Sequence, residues 1–120
     1  MKIFVLDDMQ VRHNAYKKKF PTAEVVSLYD ATSAIEHLLV NLNNYDLICL
    51  DHDLGNRIFV SIEDKNTGSA VAKFLSDKEI KCPIIIHSLN YWGAKNMLQH
   101  LPQAKYVPFY FNKGVEQCKN

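Results

Sequence analysis

The sequence lacks a marked excess of either charge, and it lacks any long apolar stretch. Its 120 residues carry 14 basic and 13 acidic side chains, so the formal net charge is only +1. Domains that hold long nucleic acids by charge alone are strongly basic, so we expect no long nucleic-acid tract as a partner. Every apolar run is shorter than the roughly 20 residues of a membrane span, and the first is too short for a signal-peptide core. We therefore expect no membrane association.

Cysteine is also scarce. The three positions, Cys49, Cys82 and Cys118, are odd in number and widely spaced, and no CxxC motif occurs. This pattern argues against a disulfide framework and indicates reduced thiols in a cytoplasmic protein. Apolar residues make up 48% and charged residues 22%, the mixture typical of a folded globular domain. The length favours a single domain over residues 1–120.

Short apolar runs alternate with segments of helical spacing along the chain. The runs occur at residues 2–6, 24–28, 47–50, 83–86 and 106–111. Strands that alternate with helices favour a parallel sheet covered on both faces. At this length we predict an α/β fold of the flavodoxin-like type, a three-layer sandwich with strand order 2-1-3-4-5. Only nine residues follow position 111, so the last helix is expected to be short.

Polar side chains cluster where three of these strands end. The carboxyl ends of parallel strands meet at one edge of a sheet, so we expect these clusters to converge. Their four carboxylates would repel each other unless a cation compensates, and oxygen ligands favour Mg²⁺ or Mn²⁺. Zinc is less favoured, although the two histidines could also serve as zinc ligands. The clusters are Asp7-Asp8 after strand 1, Asp51-His52-Asp53 after strand 3, and His87-Ser88 with Asn90 after strand 4.

Several of these residues also have an ordinary structural interpretation. Asp8, Ser88 and Asn90 are all placed to cap the helix that follows them. Thr67, before Gly68, either caps helix 3 or helps to bind an anion at its N-terminus. The long connection at residues 54–66 is expected to act as a lid over the cleft.

Histidines and aromatic residues outside the clusters have a simpler interpretation. His13, His37 and His100 lie in helical segments and are expected to be solvated. Tyr91 and Trp92 either belong to the core or stack on a base.

The residues at the strand ends resemble those of a known family. In response-regulator receiver domains an acidic pair, a phosphoacceptor aspartate and a Ser or Thr follow strands 1, 3 and 4, and Asp7-Asp8, Asp51 and Ser88 match them. The blocks at 51–55 (DHDLG) and 87–90 (HSLN), together with Arg12 and Thr67-Gly68, look more specifically like the cyclic-phosphate-processing receiver-like family. The resemblance covers nearly the whole chain and implies the receiver fold. It also implies action on cyclic phosphates in RNA repair or nucleotide salvage.

From this resemblance we predict a metal-dependent phosphoesterase. Its substrate would be a cyclic phosphate on a nucleotide, an RNA end or an ADP-ribose-like molecule. Asp7, Asp8 and Asp51 would hold Mg²⁺ or Mn²⁺, which lowers the pKa of a bound water. One of His52 and His87 would deprotonate that water, and the other would protonate the leaving oxygen.

The remaining predicted site residues support this chemistry. Asp53 would orient a histidine through its ring N–H, and Arg12, Thr67, Ser88 and Asn90 would hold the phosphate. Successive residues of a strand point to opposite faces, so Asp51 and its neighbour His52 can share a site only where the strand has ended.

Two alternatives remain open at this point. The same pocket could sequester a cyclic nucleotide without turnover, or Asp51 could accept a phosphoryl group as in a signalling receiver. Receivers carry a lysine at the end of strand 5, whereas here the nearest candidate is the displaced Lys113, which argues against signalling. Tyr91 and Asn96 stand where the family often shows a proline and an arginine. No protein partner is deducible from the sequence.

Overall fold

The computed structural model describes residues 1–109 and shows a five-stranded parallel sheet of order β2-β1-β3-β4-β5. This confirms the predicted flavodoxin-like, receiver-like fold. A one-turn 3₁₀ helix at Leu42–Asn44 precedes the third strand. The strands are β1 (Lys2–Leu6), β2 (Glu24–Leu28), β3 (Leu47–Leu50), β4 (Ile84–Ile86) and β5 (Lys105–Tyr106), and the helices are α1 (Gln10–Lys19), α2 (Ala31–Asn41), α3 (Gly68–Leu75) and α4 (Tyr91–His100).

The central strands end level with one another. Leu6 lies opposite Leu50 in the β1–β3 pair, and Leu50 lies opposite Ile86 in the β3–β4 pair. The next residues continue this register, because the Asp51 N–H donates to the Leu6 carbonyl at 2.9 Å and the His87 N–H donates to the Leu50 carbonyl at 2.9 Å. The polar residues that follow the three strands therefore stand side by side at one edge of the sheet.

The alternation of side chains along each strand divides the core into two layers. Ile3, Val5 and Cys49 face α1 on one side of the sheet, together with Tyr16. The neighbouring even-numbered side chains of β1, β3 and β4 face α2, α3 and α4 on the other side. Because the alternation has period two, the parity of a strand-end residue decides which face its side chain continues.

Side chains cap three of the four helices. Asp30, Thr67 and Asn90 occupy the N-cap positions of α2, α3 and α4, and each accepts a hydrogen bond from a first-turn N–H. Met9, not Asp8, occupies the N-cap position of α1, so the capping interpretation of Asp8 is wrong. A Cβ at Gly68 would lie 1.8 Å from the Asp51 carbonyl oxygen, so the start of α3 approaches the end of β3 as only glycine allows.

The last strand is shorter than the sequence predicts. The predicted run covers residues 106–111, whereas β5 spans only Lys105–Tyr106. Positions 110 and 111, the expected short last helix, Lys113 and Cys118 lie outside the described residues. Among residues 1–109, no helix is both long enough and apolar enough to span a membrane.

Candidate functional site

Three polar side chains continue the α1 face of the sheet beyond the ends of β1, β3 and β4. They are Asp7, Asp51 and His87, which are 0%, 2% and 1% exposed. One ligand atom of each lies within 4.8 Å of the others. Their odd numbers place them on the same face as Val5 and Cys49, so the pleat of the sheet brings them together.

Arg12 joins the two carboxylates of this group. It lies in the first turn of α1, and its Nη1 is 3.2 Å from Asp7 Oδ2 and 3.2 Å from Asp51 Oδ2. The side chain is 8% exposed, and its guanidinium carbon lies 5.7 Å from the centre of the Phe109 ring. The guanidinium is therefore a buried counter-ion shared by the two aspartates.

His87 is held at both ring nitrogens. Its Nε2 lies 2.8 Å from Asp7 Oδ2, and its Nδ1 lies 3.0 Å from the Tyr16 hydroxyl. With Nε2–H donating to the carboxylate, Nδ1 accepts from the Tyr16 hydroxyl. A histidine that acts as acid or base on a substrate needs one free ring nitrogen, and both ring nitrogens of His87 already contact the protein. In this arrangement His87 therefore positions Asp7.

Two residues of α1 complete this side of the site and were missed or misjudged from the sequence. His13 is 0% exposed and its Nε2 lies 2.7 Å from the Asp7 carbonyl oxygen, so the expectation that it is solvated is wrong. Tyr16 was not singled out, although it lies four residues after Arg12 and so on the same helix face. That spacing is the signal that identifies it.

Burial and neighbouring charges shift the pKa values of Asp7 and Asp51 in opposite directions. Burial, with repulsion from Asp7, raises the pKa of Asp51 to about 7, despite His87 and Arg12. Burial also opposes ionisation of Asp7, but its hydrogen bond to His87 and the charges of His87 and Arg12 lower its pKa overall. The pair therefore holds one firmly ionised carboxylate and one that exchanges a proton near neutral pH.

Asp8 stands apart from this group. It is only partly buried, and its Oδ2 accepts a hydrogen bond from the Asn56 N–H at 2.6 Å. Burial raises the pKa of its carboxyl group. The structure brings Asp8 to the cleft beside Asp51, but the group with ligand atoms within 4.8 Å consists of Asp7, Asp51 and His87.

His52 continues the opposite face of β3 and is not brought together with His87. Its ring packs beneath α4, where a Cβ added to Gly93 would lie 2.3 Å from its Cγ. Its Nδ1 lies 2.9 Å from Asp53 Oδ1, and its Nε2 is buried without a partner among residues 1–109. The side chain is 0% exposed, so neither nitrogen is open to the cleft. The predicted acid–base pair of His52 and His87 is therefore separated by the pleat of the sheet.

Asp53 anchors the long connection between β3 and α3. Its carboxylate accepts hydrogen bonds from the Phe59 and Val60 N–H groups at 2.8 and 3.0 Å, and from Asn90 Nδ2 at 3.0 Å. Although burial opposes ionisation, its bonds to Asn90, His52 and these two N–H groups lower its pKa. Phe59 has a φ of 52°, so these bonds hold a strained backbone.

The predicted phosphate-binding residues divide between the cleft and the helix caps. The Thr67 hydroxyl donates to the Asp64 carbonyl oxygen at 2.8 Å and accepts from Ala70, so it acts as a cap. Asn90 caps α4 by accepting from the Gly93 N–H. Ser88 Oγ accepts from the Asn90 N–H at 3.0 Å, and Ser88 also lines the cleft.

A cleft of about 330 Å³ opens above the strand ends. Its volume is at the lower end of the range for small-molecule sites. Met9, Ile58 and Leu89 are exposed apolar residues around it. Of the predicted site residues, Asp8, Arg12, Asp51, Asp53 and Ser88 line the cleft, whereas Asp7, His52, Thr67, His87 and Asn90 are not among the lining residues.

The donor set suits a divalent cation in its chemistry. Two carboxylates with an imidazole, and the further carboxylate of Asp8 nearby, are ligands that Mn²⁺ accepts, and the oxygens alone suit Mg²⁺. Arg12, however, already bonds one oxygen of each buried carboxylate. The residues therefore fit a cation that Asp7 and Asp51 would hold once the guanidinium withdraws.

Comparison with known families and proteins agrees with the fold. The family model described as "Cyclic-phosphate processing Receiver domain" matches residues 1–103 of the chain. Comparison with curated proteins returns no match.

Solved receiver domains share the fold. The response regulator TrrA of Thermotoga maritima, in complex with Mg²⁺ and BeF, is 20% identical with a TM-score of 0.70, over 98% of this chain and 94% of that one. The Mn²⁺-bound form of response regulator Rcp1 is 15% identical with a TM-score of 0.68, over 96% and 86%. A Francisella receiver domain is 22% identical with a TM-score of 0.64, over 98% and 93%. At these identities the likeness shows the fold.

Proposed function

Because the chain belongs to the cyclic-phosphate processing receiver domain family, we propose that its cleft takes a small cyclic phosphate and hydrolyses one ester bond of the ring. The observation that carries this proposal is the placement of Arg12, Asp51 and Ser88 along one cleft of about 330 Å³. A guanidinium and a hydroxyl are donors that suit phosphate oxygens. A carboxyl group beside them suits proton exchange or metal binding.

The acidic residues would hold a divalent cation, Mg²⁺ or Mn²⁺. Asp51 and Asp8 line the cleft, and Asp7 lies behind Asp51 in the same buried group. When bound, the cation neutralises phosphoryl charge and lowers the pKa of a coordinated water. His87 fixes Asp7 through its 2.8 Å contact, so that the carboxylate stays ionised and oriented.

Proton transfer falls to groups that the cleft exposes. Water gives up a proton as it attacks the phosphorus, one ring P–O bond breaks, and the leaving oxygen takes a proton, which yields a phosphomonoester. Asp51 and Asp8 both line the cleft, so whichever of them does not hold the cation is placed to exchange these protons. Asp53, which lines the cleft, holds the loop and α4, and His52 supports it from one layer further back.

Asp51 also supports a second candidate function, that of a phosphoacceptor. Its carboxyl group lies at the end of β3 and lines the cleft, where the Arg12 guanidinium is 3.2 Å from Asp51 Oδ2. TrrA, which shares the fold, was solved with Mg²⁺ and BeF. The lysine expected after β5 in receivers corresponds most nearly to Lys113, which is outside the described residues.

A product assay tests the proposal directly. The protein is incubated with Mg²⁺ or Mn²⁺ and a panel of 2′,3′-cyclic, 3′,5′-cyclic and ADP-ribose cyclic phosphates, and products are followed by phosphorus NMR. We expect one class to open to a monoester, at least about 100-fold more slowly in Asp51→Asn. Asp77→Asn, on the exposed surface, serves as the matched control.

Three other results would redirect the assignment. Tight binding of an intact cyclic nucleotide without product supports the sequestering alternative. An acyl phosphate formed from acetyl phosphate, and absent in Asp51→Asn, supports the phosphoacceptor. Turnover that survives in Asp51→Asn removes this carboxyl group from the mechanism.

A further inference from the structure

Arg12 occupies the position that a bridging cation needs. A single nitrogen, Nη1, contacts Asp7 Oδ2 and Asp51 Oδ2, both at 3.2 Å. A divalent ion bound between these two carboxylates would use the same oxygens. It would also stand beside a positive guanidinium in a buried region, where like charges repel strongly. The bonded arginine and a bridging ion therefore exclude each other.

The Arg12 guanidinium has its carboxylate contacts at Nη1, and it also lies 5.7 Å from the centre of the Phe109 ring. Its Nε is buried and has no hydrogen-bond partner in the described part of the chain. The same residue lines the cleft together with Asp51 and Ser88. An unsatisfied buried donor favours an additional acceptor, and a phosphate oxygen in the cleft would be one.

We propose that Arg12 is a displaceable counter-ion, which keeps a divalent cation out of the Asp7–Asp51 pair until a phosphate group in the cleft draws the guanidinium away. This inference rests on the proposed metal site and adds its regulation. A phosphate anion offers the guanidinium a bidentate partner. When the guanidinium leaves, Asp51 Oδ2 and Asp7 Oδ2 both lose its contact, and Asp7 Oδ2 keeps its bond to His87 Nε2. Cation and phosphate therefore bind with positive cooperativity, and by linkage each strengthens the other by the same factor.

The cooperativity makes the charge balance of the site depend on whether phosphate is bound. Without phosphate the arginine neutralises the paired carboxylates, so the empty cleft has little need of a free ion. With phosphate present, both the anion and the freed carboxylates need positive charge, and the cation supplies it. The chain would thus load its metal together with a phosphate ligand.

Manganese titration measures the coupling without any turnover. Free Mn²⁺ is followed by electron paramagnetic resonance, with and without inorganic phosphate, and the complex between Mn²⁺ and phosphate in protein-free solution is subtracted. In the wild type we expect phosphate to tighten Mn²⁺ binding at least fivefold. In Arg12→Met we expect Mn²⁺ alone to bind at least about tenfold more tightly than in the wild type, with the effect of phosphate reduced below twofold.

Arg57→Met is the matched control. Arg57 also lines the cleft, but its guanidinium contacts Asp64 at 2.9 and 3.2 Å and not the buried aspartates. We expect less than a twofold change in Mn²⁺ affinity for this variant. If Arg12→Met fails to fold by circular dichroism, Arg12→Gln, which keeps a donor but loses the charge, replaces it with the same expected direction.

The outcomes separate this inference from the proposed metal site. Equal Mn²⁺ affinity in the wild type and the Arg12 variant, lost in Asp51→Asn, keeps the metal site and overturns the role of Arg12. Absence of Mn²⁺ binding in both proteins overturns the metal site and this inference together. Tighter binding in Arg12→Met that survives in Arg12→Met/Asp51→Asn places the ion elsewhere and also overturns the inference.

Discussion

Replacing Asp51 by asparagine should make the stability of the protein less sensitive to pH. The folded protein raises the pKa of Asp51 from 3.8 to about 7, mainly because the carboxyl group is buried, with a further contribution from Asp7. Between these two values the folded state binds a proton that the unfolded state has released. The free energy of unfolding therefore falls as the pH rises through this interval, and levels off once the folded carboxyl group is ionised.

The structure sets the size of the effect. The difference between the two pKa values corresponds to roughly 4 kcal/mol of destabilisation at pH 8 relative to pH 4. Asp7 and Arg12 contact or face the same carboxyl group, and their response takes up part of this energy. We therefore expect the wild type to lose about 2–4 kcal/mol more than Asp51→Asn over that range. Asparagine keeps the volume of the side chain and mimics its protonated form.

Urea unfolding followed by far-UV circular dichroism measures this difference, with a chelator present to remove divalent ions. Stabilities are determined at pH 4, 5, 6, 7 and 8 for the wild type, Asp51→Asn and the control Asp77→Asn. Asp77 is exposed and pairs only with its neighbour Lys78 among the described contacts, so the control should follow the wild type. Parallel pH curves for the wild type and Asp51→Asn would show that burial does not hold a proton on Asp51.

Three further predictions concern the packing that supports the site, all measured by urea unfolding. Gly93→Ala should lower the free energy of unfolding by about 1–3 kcal/mol, because the added Cβ would lie 2.3 Å from the His52 ring. An equal loss in a His52→Ala background would contradict this contact. Tyr16→Phe should cost about 1–2 kcal/mol by removing the 3.0 Å bond to His87 Nδ1, and a neutral effect would mean that the bond contributes nothing. Asn90→Ala should lower the free energy of unfolding by about 1–2 kcal/mol, because α4 loses its N-cap. Amide hydrogen exchange in the first turn of α4 should also become faster, and unchanged exchange would refute the capping role.

Much of the fold followed from local pattern. The apolar runs of β1, β3 and β4 are buried on both faces, and continuous apolar strands of this kind predict a parallel sheet. The end of β5 was misplaced because the run at 106–111 stays apolar beyond Tyr106, where the strand ends. The Val107 and Phe109 N–H groups still donate to the Ile86 and His87 carbonyls at 2.9 Å, and Phe109 is buried, so the apolar pattern marks a segment longer than the strand itself.

The site was predicted less completely, because proximity along the chain is a poor guide to proximity in space. Asp51 and His52 are adjacent in sequence, yet their side chains lie in different layers of the molecule. His13 was expected to be solvated and Tyr16 was not singled out, because a lone polar residue on a helix is usually solvated. Their helix packs its polar face onto a polar strand edge, which inverts the usual expectation.

The sequence by itself determined where the strands lie along the chain, the edge where the acidic residues gather and the parity that assigns each of them to a face. These follow from apolar patterning and the two-residue period of a strand, which act over a few residues. Only the tertiary structure decided that Arg12 bridges Asp7 and Asp51 and that His87 stands behind them. Those contacts join α1 to β1, β3 and β4, and they depend on how the helix docks, which no local pattern specifies.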